Sequence, residues 1–178
     1  MIATPRLLAL LVPLLLAACA SPVPRALREA PPEPVSLAEA RSQPAALRGR
    51  EVRWGGTLVA VHNLPERTRL EIVARPLDRE GRPRPVDRSP GRFLAEVAGF
   101  LDPAVYAEGR DITVRGRLAG VVHGRIGQHP YDYPLVRVEV HYLFPPRRRV
   151  APEPWPAWYD DPFFPYPWYP HPPPWFWW

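Results

Sequence analysis

Histidines at positions 62, 123, 129, 141 and 171 have the widest scope for acid–base or metal chemistry in this chain. None stands in an H-E-x-x-H pattern, and no pair of cysteines accompanies them, so the spacing lends a metal site little support. His123 and His129 share one segment, with Asp132 close behind. That grouping is the one from which an enzymatic site could be built, and polar loop histidines are the simpler reading. There is no G-x-S-x-G for a nucleophile elbow. Gly124-Arg125-Ile126-Gly127 is too short for a phosphate loop and has no helix pattern after it. Glu71 and Glu139 alternate with arginines, as solvated cross-strand pairs do. Asp102 precedes Pro103 and suits a helix cap better than a catalyst. No catalytic residue, metal or cofactor is assigned on this basis.

The sharper chemical signal is Cys19, the only cysteine. Arg6 gives a positive start, Leu7 to Leu16 is aliphatic apart from Pro13, and Ala17 and Ala18 are small. These are the three parts of an export signal. The run is shorter than the ~20 apolar residues that span a bilayer. Leu16-Ala17-Ala18-Cys19 resembles the bacterial lipobox, which implies cleavage between Ala18 and Cys19 and acylation of the thiol. A single cysteine in an exported chain has no internal disulfide partner, which favours this over an incidental residue. Each buried methylene contributes ~0.8 kcal/mol, so several acyl chains hold a protein on a membrane almost permanently. Ala20, rather than Asp, follows the cysteine, and by resemblance to bacterial sorting rules this points to the outer membrane.

About 160 residues remain after residues 1–18 are removed, enough for one domain with extensions. The 28 prolines are unevenly placed and separate a folded centre from two flanks. Residues 19–35 read as a lipidated, proline-rich tether. Ser36-Leu37-Ala38-Glu39 is a capping box that opens a short helix ending before Pro44.

Period-two alternation then begins at Glu51. Val52, Trp54, Gly56, Leu58 and Ala60 share one face, with Gly55-Gly56 marking a bulge or bend. Thr68 to Arg75 is a second strand, residues 76–91 a long mobile loop, and Arg92 to Val97 a third strand. Asp102-Pro103 starts a short helix over 104–108, whose Val105 and Tyr106 plug one end of the core. Asp111 to Leu118 and Tyr133 to Phe144 are strands four and five. On the fifth, Val136, Val138, Val140, Tyr142 and Phe144 share one face and His141 the other.

The order β-β-β, short helix, β-β predicts a mainly β domain over 36–144, a small five-stranded OB-like barrel. An immunoglobulin-like sandwich fits the lone helix less well. Barrels of this type stack ligands on aromatic rings, which makes Trp54, Tyr131 and Tyr133 the candidate ligand contacts. For Trp54, core packing beside Val52 and Leu58 is the simpler reading.

The last segment, 145–178, holds six of the seven tryptophans among twelve prolines. It reads as an extended, disordered tail whose rings suit a membrane interface or pack weakly on the barrel. The formal charge is +5, and all 23 cations are arginine. In an exported chain that balance suits anionic envelope material, or simply a solvated surface, better than nucleic acid.

Several stretches together resemble the Slp family of outer-membrane lipoproteins, the starvation-inducible lipoproteins of Gram-negative bacteria. They are Gly49-Arg50-Glu51-Val52-Arg53-Trp54-Gly55-Gly56, Val61-His62-Asn63, and Leu70-Glu71-Ile72 with Pro76-Leu77-Asp78. Gly91-Arg92-Phe93, Gly99-Phe100-Leu101-Asp102-Pro103 with Tyr106, Gly116, Gly120 and Gly124, and Tyr131-Asp132-Tyr133-Pro134 continue the match. The resemblance covers Cys19 and residues 36–144 and leaves the tail out. It implies an acylated, periplasm-facing outer-membrane protein linked to stress or stationary phase, and it supplies no catalytic residues. The expected partners are outer-membrane lipid, through acylated Cys19, and an envelope protein or glycan. The alternative is a periplasmic module that binds a glycan or anionic lipid.

Overall fold

The computed structural model describes residues 21–147. The signal segment with Ala18 and Cys19, and the tail from 148 onward, lie outside the described residues. The chain divides into one unit ending at Pro146 and a second beginning at Arg147. The first contains every element below.

Two short helices, α1 (Arg25–Arg28) and α2 (Leu37–Ser42), precede five strands. These are β1 (Glu51–Asn63), β2 (Arg67–Arg75), β3 (Arg92–Ala98), β4 (Asp111–Ile126) and β5 (His129–Leu143). They close in the order β1-β2-β3-β5-β4, with β4 returning to β1. Only β3 and β5 run parallel. This is the five-stranded OB-like barrel that the element order predicts. Its interior is filled by alternate residues of each strand, including Val52, Leu58, Leu70, Ile72, Phe93, Ile112, Val114 and Val136.

Glycine permits the sheet to bend and close where strands approach tightly. A Cβ at Gly56 would lie 1.9 Å from the Val73 carbonyl oxygen, and one at Gly116 would lie 2.0 Å from that of Arg137. Gly127 (φ 59) occupies the first position of the two-residue turn joining β4 to β5, where a primed hairpin turn requires positive φ. The β4–β5 ladder is therefore one long hairpin, and β4 extends to Ile126 rather than ending near Leu118.

Three bulges interrupt the ladders, one of them at Ala119 in β4, where Leu118 pairs with Val136 and Gly120 with Leu135; the other two change which residues face inward. In β1, Leu58 pairs with Ile72 but Ala60 pairs with Glu71, so Val59 is the extra residue. Beyond it Val61, not Ala60, packs against the core. In β5, Gly116 pairs with Val138 but Arg115 pairs with Val140, which makes Glu139 the extra residue. Val140, Tyr142 and Phe144 are thereby turned to the outside of the barrel. His141, opposite buried Val114, turns inward.

The capping box forms as its spacing predicts. Ser36 Oγ accepts from the Glu39 amide at 3.2 Å, and the Glu39 carboxylate accepts from the Ser36 amide at 2.8 Å. The expected helix over 104–108 is reduced to a single turn. Tyr106 N–H and Val105 N–H both donate to Asp102 O, and Asp102 Oδ1 accepts from the Ala104 amide. Gly109 ends it before a second turn can form, and Val105 points to solvent while Tyr106 packs on the core.

Residues 21–35, expected as an open spacer, pack on the barrel. Leu27 is fully buried and clusters with Val23 and Phe144, flanked by Val140 and Tyr142. A four-residue helix leaves its last carbonyls without internal partners. Here Arg53 donates to Leu27 O at 3.0 Å and to Arg28 O at 2.6 Å, while Arg115 donates to Ala26 O at 2.9 Å. Within residues 76–91, expected as a long mobile loop, the 77–83 part is tied by hydrogen bonds. Asp78 Oδ1 accepts from the Glu80 and Arg82 amides, Leu77 bridges Pro83, and Thr113 Oγ1 donates to Gly81 O at 2.7 Å.

Candidate functional site

Trp54 lies on β1 with its ring edge-on to Phe93, the centroids 5.3 Å apart. Its Nε1–H donates to Val35 O at 2.9 Å, tying the start of α2 to the barrel. Tyr131 and Tyr133 lie together on β5, 4.8 Å apart and edge-on. Tyr131 Oη accepts from the Arg92 amide at 2.8 Å, and the Arg41 guanidinium sits 4.7 Å over its ring. Tyr133 is buried and donates to Arg125 O at 3.0 Å and to the Glu71 carboxylate at 3.3 Å. Burial, then the Glu71 charge, raises its phenol above the usual range, so it stays a donor. The structure thus joins Tyr131 to Tyr133 and sets Trp54 against a different neighbour. Each ring makes an internal contact.

His123 and Asp132 face each other across the β4–β5 ladder, and His123 Nδ1 lies 2.6 Å from Asp132 Oδ1. The pair is exposed, at 85% and 53%. It borders a cleft of about 350 Å³ whose other walls include Arg41, Arg48 and Gly120. His129 pairs with Ile126 at the end of the hairpin. No group of three or more metal-ligating side chains occurs among the described residues. The cleft's two arginines can pair with an anionic group while its Asp132 carboxylate opposes one, so the site is mixed in charge. By itself it has no nucleophile to activate.

The outer face of β2 and β3, where OB barrels bind extended ligands, is a lattice of ion pairs. Glu96 is 93% shielded from solvent beneath Arg67 and Arg69, at 3.3 and 2.8 Å. Arg92 pairs with Glu71 at 2.8 Å.

Sequence reasoning missed a half-buried polar pair at the edge of the core. His141 Nε2 lies 2.9 Å from Tyr106 Oη. Burial lowers the imidazole below its usual range and raises the phenol. The bulge at Glu139 puts His141 there, and strict alternation gives no sign of it.

These features define a small OB-like barrel with a docked N-terminal strap and a polar cleft. The family model described as the outer membrane lipoprotein Slp family matches residues 16–176. The chain belongs to that family. It is 38% identical over 152 residues to the uncharacterized lipoprotein YeaY of Escherichia coli K12, covering 85% of this chain and 76% of that one. It is 34% identical over 127 residues to the outer membrane protein Slp of the same organism, covering 70% of this chain and 66% of that one. A crystal structure of a small single-stranded DNA-binding protein from Streptomyces coelicolor aligns with 54% of this chain and 94% of its own. At 16% identity and a TM-score of 0.31, that alignment bears on nothing further here.

Proposed function

We propose that the chain is exported, cut before Cys19, acylated on that thiol, and held on the periplasmic side of the outer membrane. There its barrel serves a non-catalytic structural or binding role in the envelope under stress or stationary-phase conditions. The observation that carries this reading is the chain order. An acylation-type motif is followed at once by a strap whose Leu27 is buried on the barrel, in a chain that matches the outer membrane lipoprotein Slp family. The outer membrane is the family's address, and the anchor is the means this sequence supplies for reaching it. Intact mass measurement of the envelope-extracted protein tests the anchor. The expected mature chain begins at Cys19 and carries acyl mass, and Cys19→Ser leaves the membrane fraction. An unacylated chain that still fractionates with outer membrane would overturn the reading.

A second reading rests on the cleft bordered by Arg41, Arg48, His123 and Asp132, whose arginines suit an anionic headgroup and whose mixed polar groups suit a glycan. Titration with glycerol phosphate tests it. Binding lost in Arg48→Ala supports that reading, and no binding to the wild type removes it.

A further inference from the structure

The two ends of the barrel unit converge on one patch. Val23 and Leu27 from the N-terminal strap share a buried cluster with Phe144, the residue just past β5. The Arg82 guanidinium lies 5.4 Å over the Phe144 ring and donates to Pro145 O at 2.9 Å. Arg82 belongs to the 76–84 excursion, whose Gly81 carbonyl accepts from Thr113 Oγ1 and at whose Gly81 an added Cβ would lie 2.3 Å from Leu27 O. Strap, excursion and C-terminal exit therefore form one continuous face over β1, β4 and the end of β5.

Chain length places the anchor beside that face. Three residues separate Cys19 from Val23, and the four steps between them, at ~3.3–3.6 Å each, span at most about 14 Å. Val23 is only 6% exposed, so the strap offers no slack beyond it. From Pro146 the chain continues toward the segment with six of the seven tryptophans, starting from the same patch. In a closed β1-β2-β3-β5-β4 barrel, β2 and β3 are the two strands that do not neighbour β4. They lie across the barrel from α1, which contacts β4 and β5; their Arg75 and Arg92 ends join the excursion, and their Arg67 and Ala98 ends are the ones turned from it.

We infer that the face made by α1, the 76–84 excursion and the Phe144 exit is a lipid-docking surface, and that the barrel rests on the bilayer by it with β2 and β3 directed away. The inference rests on the acylated-Cys19 reading. A flexible tether would let the barrel tumble at the membrane. A docked strap removes that freedom and fixes which face the envelope meets. Arg28, Arg79 and Arg84 are exposed on the lipid-facing side among the carboxylates of Glu29, Asp78 and Glu80, so contact with phosphate headgroups falls to individual arginines rather than to a uniformly basic patch. The Arg67–Glu96–Arg69 lattice is then the surface presented to the periplasm.

The test uses the full acylated chain in phosphatidylethanolamine–phosphatidylglycerol vesicles with nitroxide-bearing headgroups. Acylation consumes the only native thiol, so a fluorophore reports a single added cysteine. Glu80→Cys samples the excursion, and Glu66→Cys samples the turn before β2; both positions are exposed. The expected result is loss of most of the emission at Glu80→Cys and of little at Glu66→Cys. Leu27→Asp, which undocks the strap, should abolish that difference while the protein still floats with the vesicles. Equal quenching at both positions in a floating protein overturns the orientation and leaves the anchor standing. A chain that does not float, with a reactive thiol at Cys19, overturns the anchor and the orientation with it.

Discussion

Truncating Leu27 separates the strap from the barrel in a measurable way. The side chain is fully buried, and its cluster comprises Val23 and Phe144, with Val140 and Tyr142 at the edge. None of these belongs to the cluster that fills the barrel. Leu→Ala at a buried site costs ~2–5 kcal/mol, and a site at the edge of a domain relaxes more than one at its centre, which places Leu27→Ala at about 2–3 kcal/mol. Opening of the strap should then become roughly 30- to 140-fold more frequent, at tenfold per ~1.4 kcal/mol. Native-state hydrogen exchange reads this directly. The Glu29 amide, bonded to Arg25 O at 3.1 Å, should exchange faster by that factor. The Leu58 amide, bonded to Arg110 O at 2.9 Å, should exchange as before. If both amides accelerate together, strap and barrel unfold as one unit and the separation is refuted. An unchanged Glu29 amide would mean that Leu27 does not hold the strap at all.

Gly56→Ala drives a Cβ to 1.9 Å from a ladder carbonyl, so it should cost at least the ~1–3 kcal/mol of overpacking. Gly109→Ala meets nothing within 4 Å and should cost only the ~1–2 kcal/mol of a left-handed residue; urea denaturation giving equal losses would contradict the close approach. His141 has its folded pKa lowered by burial, so below the unfolded value of ~6.5 the unfolded state binds the proton first. Stability should therefore fall as pH drops from about 6.5 toward the lowered folded value, and His141→Gln should flatten that slope in melts run across the window. Glu96→Ala leaves two arginines that are already partly exposed, so its cost in chemical denaturation should stay below the ~3–5 kcal/mol of a fully buried pair.

The barrel was legible because its evidence is local. Alternation over 51–58, 68–75 and 92–97 and the Ser36/Glu39 capping box each depend on residues a few positions apart. The bulges were not legible because an extra residue is defined by its partner strand. Nothing in Val138-Glu139-Val140 shows that Gly116 will pair with one valine and Arg115 with the other. From Glu139 onward the alternation in sequence is intact while the faces are exchanged. His141 therefore reads as a surface residue and sits half-buried beside Tyr106. The strap escaped notice for a related reason. Pro22, Pro24, Pro31, Pro32 and Pro34 do exclude a long helix, but extended chain can pack as well as wander. Only the outward turn of Phe144, itself a result of the bulge, creates the surface that Val23 and Leu27 cover.

The basic composition changes meaning once the arginines are placed. Read as a formal charge of +5, it points outward, toward anionic material. In the structure Arg53, Arg82, Arg110 and Arg115 each donate to a backbone carbonyl of the strap, the 101–109 turn or the C-terminal exit. Arg67, Arg69, Arg92 and Arg117 hold carboxylates on the barrel wall. A short helix and two proline-rich segments leave many carbonyls that no ladder can reach, and a planar fork with several donors satisfies two of them from one side chain, as Arg53 does at Leu27 and Arg28. A lysine ammonium lacks that rigid geometry. Much of the charge is thus the means by which irregular chain is fastened to the barrel. Among the described residues, exposed cations without such duties include Arg48 at the cleft and Arg28, Arg79 and Arg84 on the strap side. Net charge could not separate these two groups, because the separation depends on where the bulge in β5 sends the chain.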